Sequence, residues 1–105
     1  MKTFNENLAD MPGIEGIARL ELLDSHGNVA ATIENKAGSQ GSLRLYRHLA
    51  DKHGAISPAA AQEGIDLYAE HTEDAEKNPG KHPNIDRLLD LVKSGATLQA
   101  RIIPA

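Results

Sequence analysis

The sequence predicts an α+β domain. Its core is a small three-stranded sheet, antiparallel or mixed, with four helices packed on one face in the order α-β-β-α-α-α-β. Three observations predict this. Three short runs alternate apolar and polar residues with a period of two, and four other stretches repeat apolar residues every three or four positions between recognisable start and stop signals. Each alternating run also has one aliphatic side and one polar side, so one sheet face takes the helices and the other meets water or a partner.

The first element is a short helix. Thr3-x-x-Glu6 reads as a capping box, Phe4, Leu8 and Met11 follow at helical spacing, and Pro12-Gly13 ends the run. Such a segment is expected to lie as an N-terminal lid on the sheet. From Gly16 to Asp24 the period changes: Ala18, Leu20 and Leu22 alternate with Arg19 and Glu21, as in a half-buried strand. Asp24-Ser25-His26-Gly27-Asn28 supplies turn residues, and Val29, Ala31 and Ile33 then alternate against Ala30, Thr32 and Glu34. Two such runs around a short glycine turn make a hairpin.

After a loop from Asn35 to Ser42, the spacing predicts a helix capped by Ser42, with Leu45, Tyr46, Leu49 and His53 on one face and Gly54 at its end. Its other face carries Arg44, Arg47, His48 and Lys52. Ser57 followed by Pro58 is the strongest start signal in the chain. It opens a single predicted helix to about Glu76, burying Ala61, Ile65, Tyr68, Ala69 and Thr72 and turning Glu63, Asp66, Glu70, Glu73, Asp74 and Glu76 outward. The residues 78–84 form a loop stiffened by Pro79 and Pro83. Asn84 is expected to cap the last helix, which carries Ile85, Leu88, Leu89 and Val92 and stops at Gly95. Leu98, Ala100 and Ile102 alternate with Gln99 and Arg101 in a final strand reaching Pro104.

A chain of 105 residues is one domain's worth, and area scaling has it bury about 65% of its unfolded surface, enough for a core without covalent staples. With no cysteine there is no disulfide framework and no thiolate chemistry. The core must be aliphatic, because Phe4, Tyr46 and Tyr68 are the only aromatic residues apart from histidines. Met1-Lys2-Thr3-Phe4-Asn5-Glu6 lacks the apolar run of a signal peptide, and no stretch approaches the ~20 apolar residues of a membrane span, so a cytoplasmic protein is expected. A net charge of −4 argues against a dedicated nucleic-acid binder, whose affinity rests on neutralising phosphates.

Two stretches carry a likeness to other proteins: Ala31-Thr32-Ile33-Glu34-Asn35-Lys36-Ala37-Gly38-Ser39-Gln40-Gly41-Ser42-Leu43 and Asn78-Pro79-Gly80-Lys81-His82-Pro83-Asn84-Ile85-Asp86-Arg87-Leu88-Leu89. Together they resemble a small bacterial family of about this length, classed as a domain of unknown function. The resemblance runs from the first strand to the last and implies a bacterial cytosolic protein. It brings no catalytic or binding residues with it.

The loop at 35–42 is the first candidate site. A glycine-containing strand-to-helix turn can aim backbone N–H groups at an anion, aided by the helix N-terminal partial charge. Lys36 would add a full charge, and Ser39 and Ser42 further donors. The loop is neither a Walker A sequence nor G-x-G-x-x-G, because no lysine follows Gly41 and only Gly38 and Gly41 are present. The plainer account, in which the glycines turn the chain and Ser42 caps a helix, is favoured. The second candidate is Lys81-His82, held between prolines; positive charge beside an imidazole suits proton exchange with an anionic ligand. No nucleophile or paired acid accompanies it in the sequence, so a stiff connection is again the plainer account.

No H-x-x-x-H or H-E-x-x-H pattern occurs, and no metal or cofactor is indicated. His48 and His53, about 140° apart around a helix, are not expected to converge. His71 and Asp74 share a helix face, within range of His82. Two functional readings follow, and neither establishes an enzyme. The leading one is a non-enzymatic binding or interaction protein that self-associates through its polar sheet face or edge. The competing one is a site for a phosphate- or carboxylate-bearing small molecule, formed by Lys36, Gly38, Ser39, Gly41 and Ser42 with Lys81 and His82. It requires the two loops to lie at the same end of the fold.

Overall fold

The computed structural model describes residues 2–105. The elements are α1 (Phe4–Ala9), β1 (Ile17–Leu23), β2 (Val29–Glu34), α2 (Gln40–His53), α3 (Pro58–Tyr68), α4 (Glu70–Lys77), α5 (Pro83–Ser94) and β3 (Gln99–Pro104). The sheet is fully antiparallel in the order β2-β1-β3. Its fold class is the predicted α+β arrangement, with five helices in place of four.

Alternation sets the register. Leu20 pairs with Ile33 and Ile102, and Leu22 with Ala31 and Ala100, which puts all six side chains on one face. Helix α2 lies across β1 and β2 on that face. Leu20, Leu22, Leu43, Leu45, Tyr46, Leu49, Ile56, Ile85 and Leu88 are completely buried between the layers. Each contributes about 1.5–3 kcal/mol relative to exposure. The expected aliphatic face is not covered throughout. Ile102 on that face is 38% exposed because β3 lies beyond the shelter of α2, and Val29 is 48% exposed because a register shift at Leu22/Leu23 pairs it with Leu23 and takes it off the aliphatic face. On the opposite face Glu21 lies between Arg19 and Arg101, 3.3 and 2.5 Å from their nitrogens.

The extra helix arises at Ala69, where the predicted single helix from Pro58 to Glu76 breaks. Ala69 has φ 53° and ψ −117°, a left-handed conformation that L residues rarely adopt. The chain then restarts as α4. Breaking a helix frees carbonyls at its C-terminus, and distant side chains satisfy them here. The Thr72 hydroxyl donates to the Ile65 carbonyl at 2.6 Å, and Asn7 Nδ2 donates to Leu67 O at 2.9 Å. Those bonds explain why Thr72 is buried at 8% despite its polarity.

Two predicted caps also differ. Helix α2 begins at Gln40, with Ser39 and not Ser42 at the N-cap position. The Ser39 hydroxyl turns back to donate to Glu34 O at 2.7 Å and Lys36 O at 3.3 Å, so it caps no helical N–H. Ser42 lies inside the first turn, where its Oγ accepts the Tyr68 hydroxyl at 2.7 Å. Helix α5 begins at Pro83 with His82 as N-cap, which leaves Asn84 inside the first turn, not capping it. Proline needs no N–H partner at that position, so it takes the first helical place more readily than asparagine.

Candidate functional site

The site is built where α1, the start of α2, the α3–α4 junction and the 78–84 loop meet. Helix α1 forms as the capping box predicts, with Thr3 and Glu6 satisfying each other's backbone N–H groups at 3.0 and 3.3 Å. It packs on α2 and α3, not on the sheet as expected of an N-terminal lid. The cause is Gly41: a Cβ there would come within 3.2 Å of the Phe4 ring and 3.3 Å of Leu8 Cδ1, so its missing side chain makes room for α1. Phe4 then stacks on Tyr68, with ring centroids 5.0 Å apart, and meets the edge of His71 at 5.1 Å. A hydrogen bond of 2.8 Å from Phe4 N–H to Glu70 ties α1 to α4.

Between these elements lies an open cleft of about 550 Å³. Gly38, Gly41 and Ser42 line it from the first loop, and Lys81 and His82 from the second. The structure thus brings together five of the seven residues selected from the sequence. Lys36 and Ser39 are not part of the wall; Lys36 is exposed, and Ser39 spends its hydroxyl on its own loop. Gly38, at φ +92°, makes the turn that sends the chain into α2.

Residues not selected from the sequence contribute much of the wall. Phe4, Tyr68, His71 and Ile85 give it aromatic and apolar surface, while Asn5, Gln40 and Asn84 give it amides. Along the chain only the His71–Asp74 spacing pointed to this region, because the Phe4–Tyr68 contact spans 64 positions and depends on the break at Ala69. The cleft wall contains the cation Lys81 and no carboxylate. The N–H groups of Gln40, Gly41 and Ser42 precede the first intrahelical bond of α2, Leu43 N to Ser39 O, and no side chain caps them.

Behind the wall sits Asp74. Its Oδ2 is 2.6 Å from His82 Nε2 and 3.1 Å from Lys81 Nζ, and its Oδ1 accepts from Asn78 at 3.0 Å. The His82 and Lys81 bonds hold its carboxyl well below the usual carboxylate range, at about 2. Asp74 thus pairs with both Lys81 and His82, so α4 brings to the second loop an acid that was expected to face solvent. The His71 ring lies 5.8 Å from that of His82. Burial pushes the Tyr68 hydroxyl above its ordinary pKa, and it likewise raises that of Tyr46 to about 12, so both stay protonated at neutral pH. Tyr46 donates to the carbonyl of Asn84, while Arg87 lies against the Tyr46 hydroxyl at 3.1 Å and Asn84 Oδ1 at 2.9 Å, fixing the floor of the second loop.

A second cluster lies away from the cleft. His53 and His48 of α2 do converge, at 2.9 and 3.5 Å from the two oxygens of Glu63, with Lys52 at 3.0 Å. Helical spacing holds for α2 alone, and it is α3 that supplies the carboxylate between them. Among the described residues no group of three His, Cys, Asp or Glu side chains is placed to hold a metal ion, and no helix is long and apolar enough to cross a membrane.

In comparisons with known proteins, no curated protein and no solved structure matches the chain. A family model does, over residues 4–102, and it is described as an uncharacterized protein conserved in bacteria, DUF2322. That match takes in the whole sheet apart from the end of β3, all five helices and both loops of the cleft, so the chain belongs to the DUF2322 family of bacterial proteins.

Proposed function

We propose that this protein binds a small phosphate- or carboxylate-bearing molecule in the cleft between the 35–42 and 78–84 loops, in the bacterial cytoplasm. One observation carries the reading: the 35–42 and 78–84 loops line the same cleft, with uncapped α2 N–H groups and Lys81 on its wall, Lys81 paired behind the wall with Asp74, and no carboxylate among the lining residues. This reverses the order in which the two readings stood on the sequence. An anion there gains from backbone donors already aimed by the helix and from a nearby ammonium, while amides and the Phe4–Tyr68 stack accommodate the rest of the molecule.

The test is a thermal-shift screen with phosphorylated and carboxylated metabolites, repeated on Lys81→Met. A ligand at 100 times its Kd adds about 2.7 kcal/mol of stability, or roughly 10 °C for a domain of this size. A stabilisation that disappears in the variant supports the site. A screen without shifts, or one unaffected by Lys81→Met, rejects it.

The interaction reading keeps one favourable observation. Val29 and Ile102 are exposed on the two outer strands, whose edges carry unpaired backbone groups. Self-association through an edge would bury one of them. Light scattering across concentrations that shows a dimer supports this reading, and a strict monomer rejects it.

A further inference from the structure

Asp74 and His82 form a carboxylate–imidazole pair at the wall of the cleft, and its geometry goes beyond ligand binding. His82 Nε2 is 2.6 Å from Asp74 Oδ2. A carboxylate that stays ionised throughout the neutral range can only accept a hydrogen bond, so Nε2 carries the proton. In the neutral imidazole the lone pair then belongs to Nδ1. Helix N-cap side chains ordinarily accept a backbone N–H from the first turn. His82 occupies the N-cap position of α5 without doing so, and Nδ1 has no hydrogen-bond partner among the described residues. It is not sealed off either, since the one buried side-chain polar atom without a partner among those residues is Arg47 Nε.

We propose that His82 is the proton acceptor of the cleft, a general base acting through Nδ1, with Asp74 as its positioning residue. This rests on the ligand-binding reading and specifies its chemistry: the ligand is an anion that also presents an O–H, such as dihydrogen phosphate or a hydroxy acid. The anionic oxygens face the α2 N–H groups of Gln40, Gly41 and Ser42, and the O–H points at Nδ1. In the proton-transfer step the O–H bond breaks and an Nδ1–H bond forms. The electron pair stays on oxygen near the α2 N-terminus and Lys81, and the resulting imidazolium is stabilised by Asp74. Return of the proton from Nδ1 to the ligand oxygen restores the neutral ring, so the exchange needs no other reactant. Asp74 acts through His82 in two ways, by holding its tautomer and by offsetting its charge, which is the logic of a carboxylate behind a catalytic imidazole.

The test is NMR on the full chain, with ¹⁵N-labelled histidine and backbone amides, titrated with inorganic phosphate at neutral pH. The expected free spectrum shows His82 as one tautomer, protonated at Nε2 and unprotonated at Nδ1. Phosphate is expected to shift the Nδ1 resonance together with the amides of Gln40, Gly41 and Ser42. Asp74→Asn, checked for folding by its amide spectrum, is expected to lose the single tautomer, because a carboxamide accepts or donates equally well; a role for Asp74 in tying the loop alone would not move that signature. His82 protonated at Nδ1, or a mixture of tautomers in the wild type, overturns the proposal without an Asp74 variant being needed. Amide shifts in α2 with no change at His82 overturn the proposal and leave ligand binding standing. Absence of both overturns the two together.

Discussion

Replacing Ala69 with glycine should stabilise this protein, and the sign of that change tests the break between α3 and α4. Ala69 sits at φ 53° and ψ −117°, where an L side chain is strained, at a cost of about 1–3 kcal/mol. Glycine removes the strain. It also gives the unfolded chain more freedom, which takes back about 0.4–1 kcal/mol. Losing a half-buried methyl takes back roughly half of the ~0.8 kcal/mol assigned to a fully buried carbon. The balance is a stabilisation near 1 kcal/mol, or about 4 °C or more in Tm for a domain of this length. If residues 58–76 instead formed the continuous helix that their periodicity predicts, glycine at this position would destabilise by about 1 kcal/mol. The two arrangements thus predict opposite signs. Urea denaturation followed by circular dichroism measures the difference, and an unchanged m-value shows that only stability has moved. Ala69→Val is the companion variant and should shift the midpoint down, because β-branched residues tolerate this region least. A lower midpoint for Ala69→Gly at constant m would refute the strained junction, and with it the route by which Tyr68 and His71 reach the cleft.

Three further outcomes follow from named contacts. Thr72→Val keeps the shape but leaves the Ile65 carbonyl without its 2.6 Å donor, so denaturation should show a loss of about 1–3 kcal/mol; a loss below 0.5 kcal/mol on that scale would mean that water reaches the carbonyl. The Asp74 carboxyl is held at about 2 against an ordinary 3.8, so its interactions contribute stability that is fully present above about pH 4 and disappears as pH falls toward 2. Wild type should therefore exceed Asp74→Asn in Tm near neutrality, with the gap closing over that acid window; a gap constant down to pH 2 contradicts the pairing. Gly41→Val should drive α1 off α2, because even a Cβ falls 3.2 Å from the Phe4 ring. Overpacking of this kind costs about 1–3 kcal/mol. Since α1 has no fully buried residue, the rest of the fold should survive, and hydrogen exchange should show lost protection confined to residues 4–9.

The elements were legible where local chemistry decides them. Thr3 and Glu6 close a capping box, Ser57 caps α3 by accepting Ala60 N–H at 3.2 Å, and Gly54 and Gly95 end α2 and α5 in the left-handed conformation. Alternation in Leu20, Leu22, Ala31, Ile33, Ala100 and Ile102 puts those residues on one face because a strand repeats every two residues. The same periodicity gives no warning of Ala69, since helical spacing resumes in phase after the break and the replacement donors, Thr72 and Asn7, are known only from the folded chain. Nor does a residue pattern tell that β3 lies beyond α2, or that a register shift at Leu22/Leu23 takes Val29 off the aliphatic face, and so Val29 and Ile102 read as core.

For the candidate site the division is sharper. Both loops stand out in the sequence by composition: glycines and hydroxyls at 35–42, prolines around Lys81 and His82 at 78–84. Their chemistry does not. Tertiary structure decided that they share a cleft, that Gly41 makes room for Phe4, and that Ser39 and Lys36 face elsewhere. It also decided that Asp74, an apparently solvent-facing acid on a helix, pairs with His82. The physical reason is range: caps, turns and strand alternation are settled within a few residues, whereas electrostatics and packing act through space between residues whose distance along the chain carries no information.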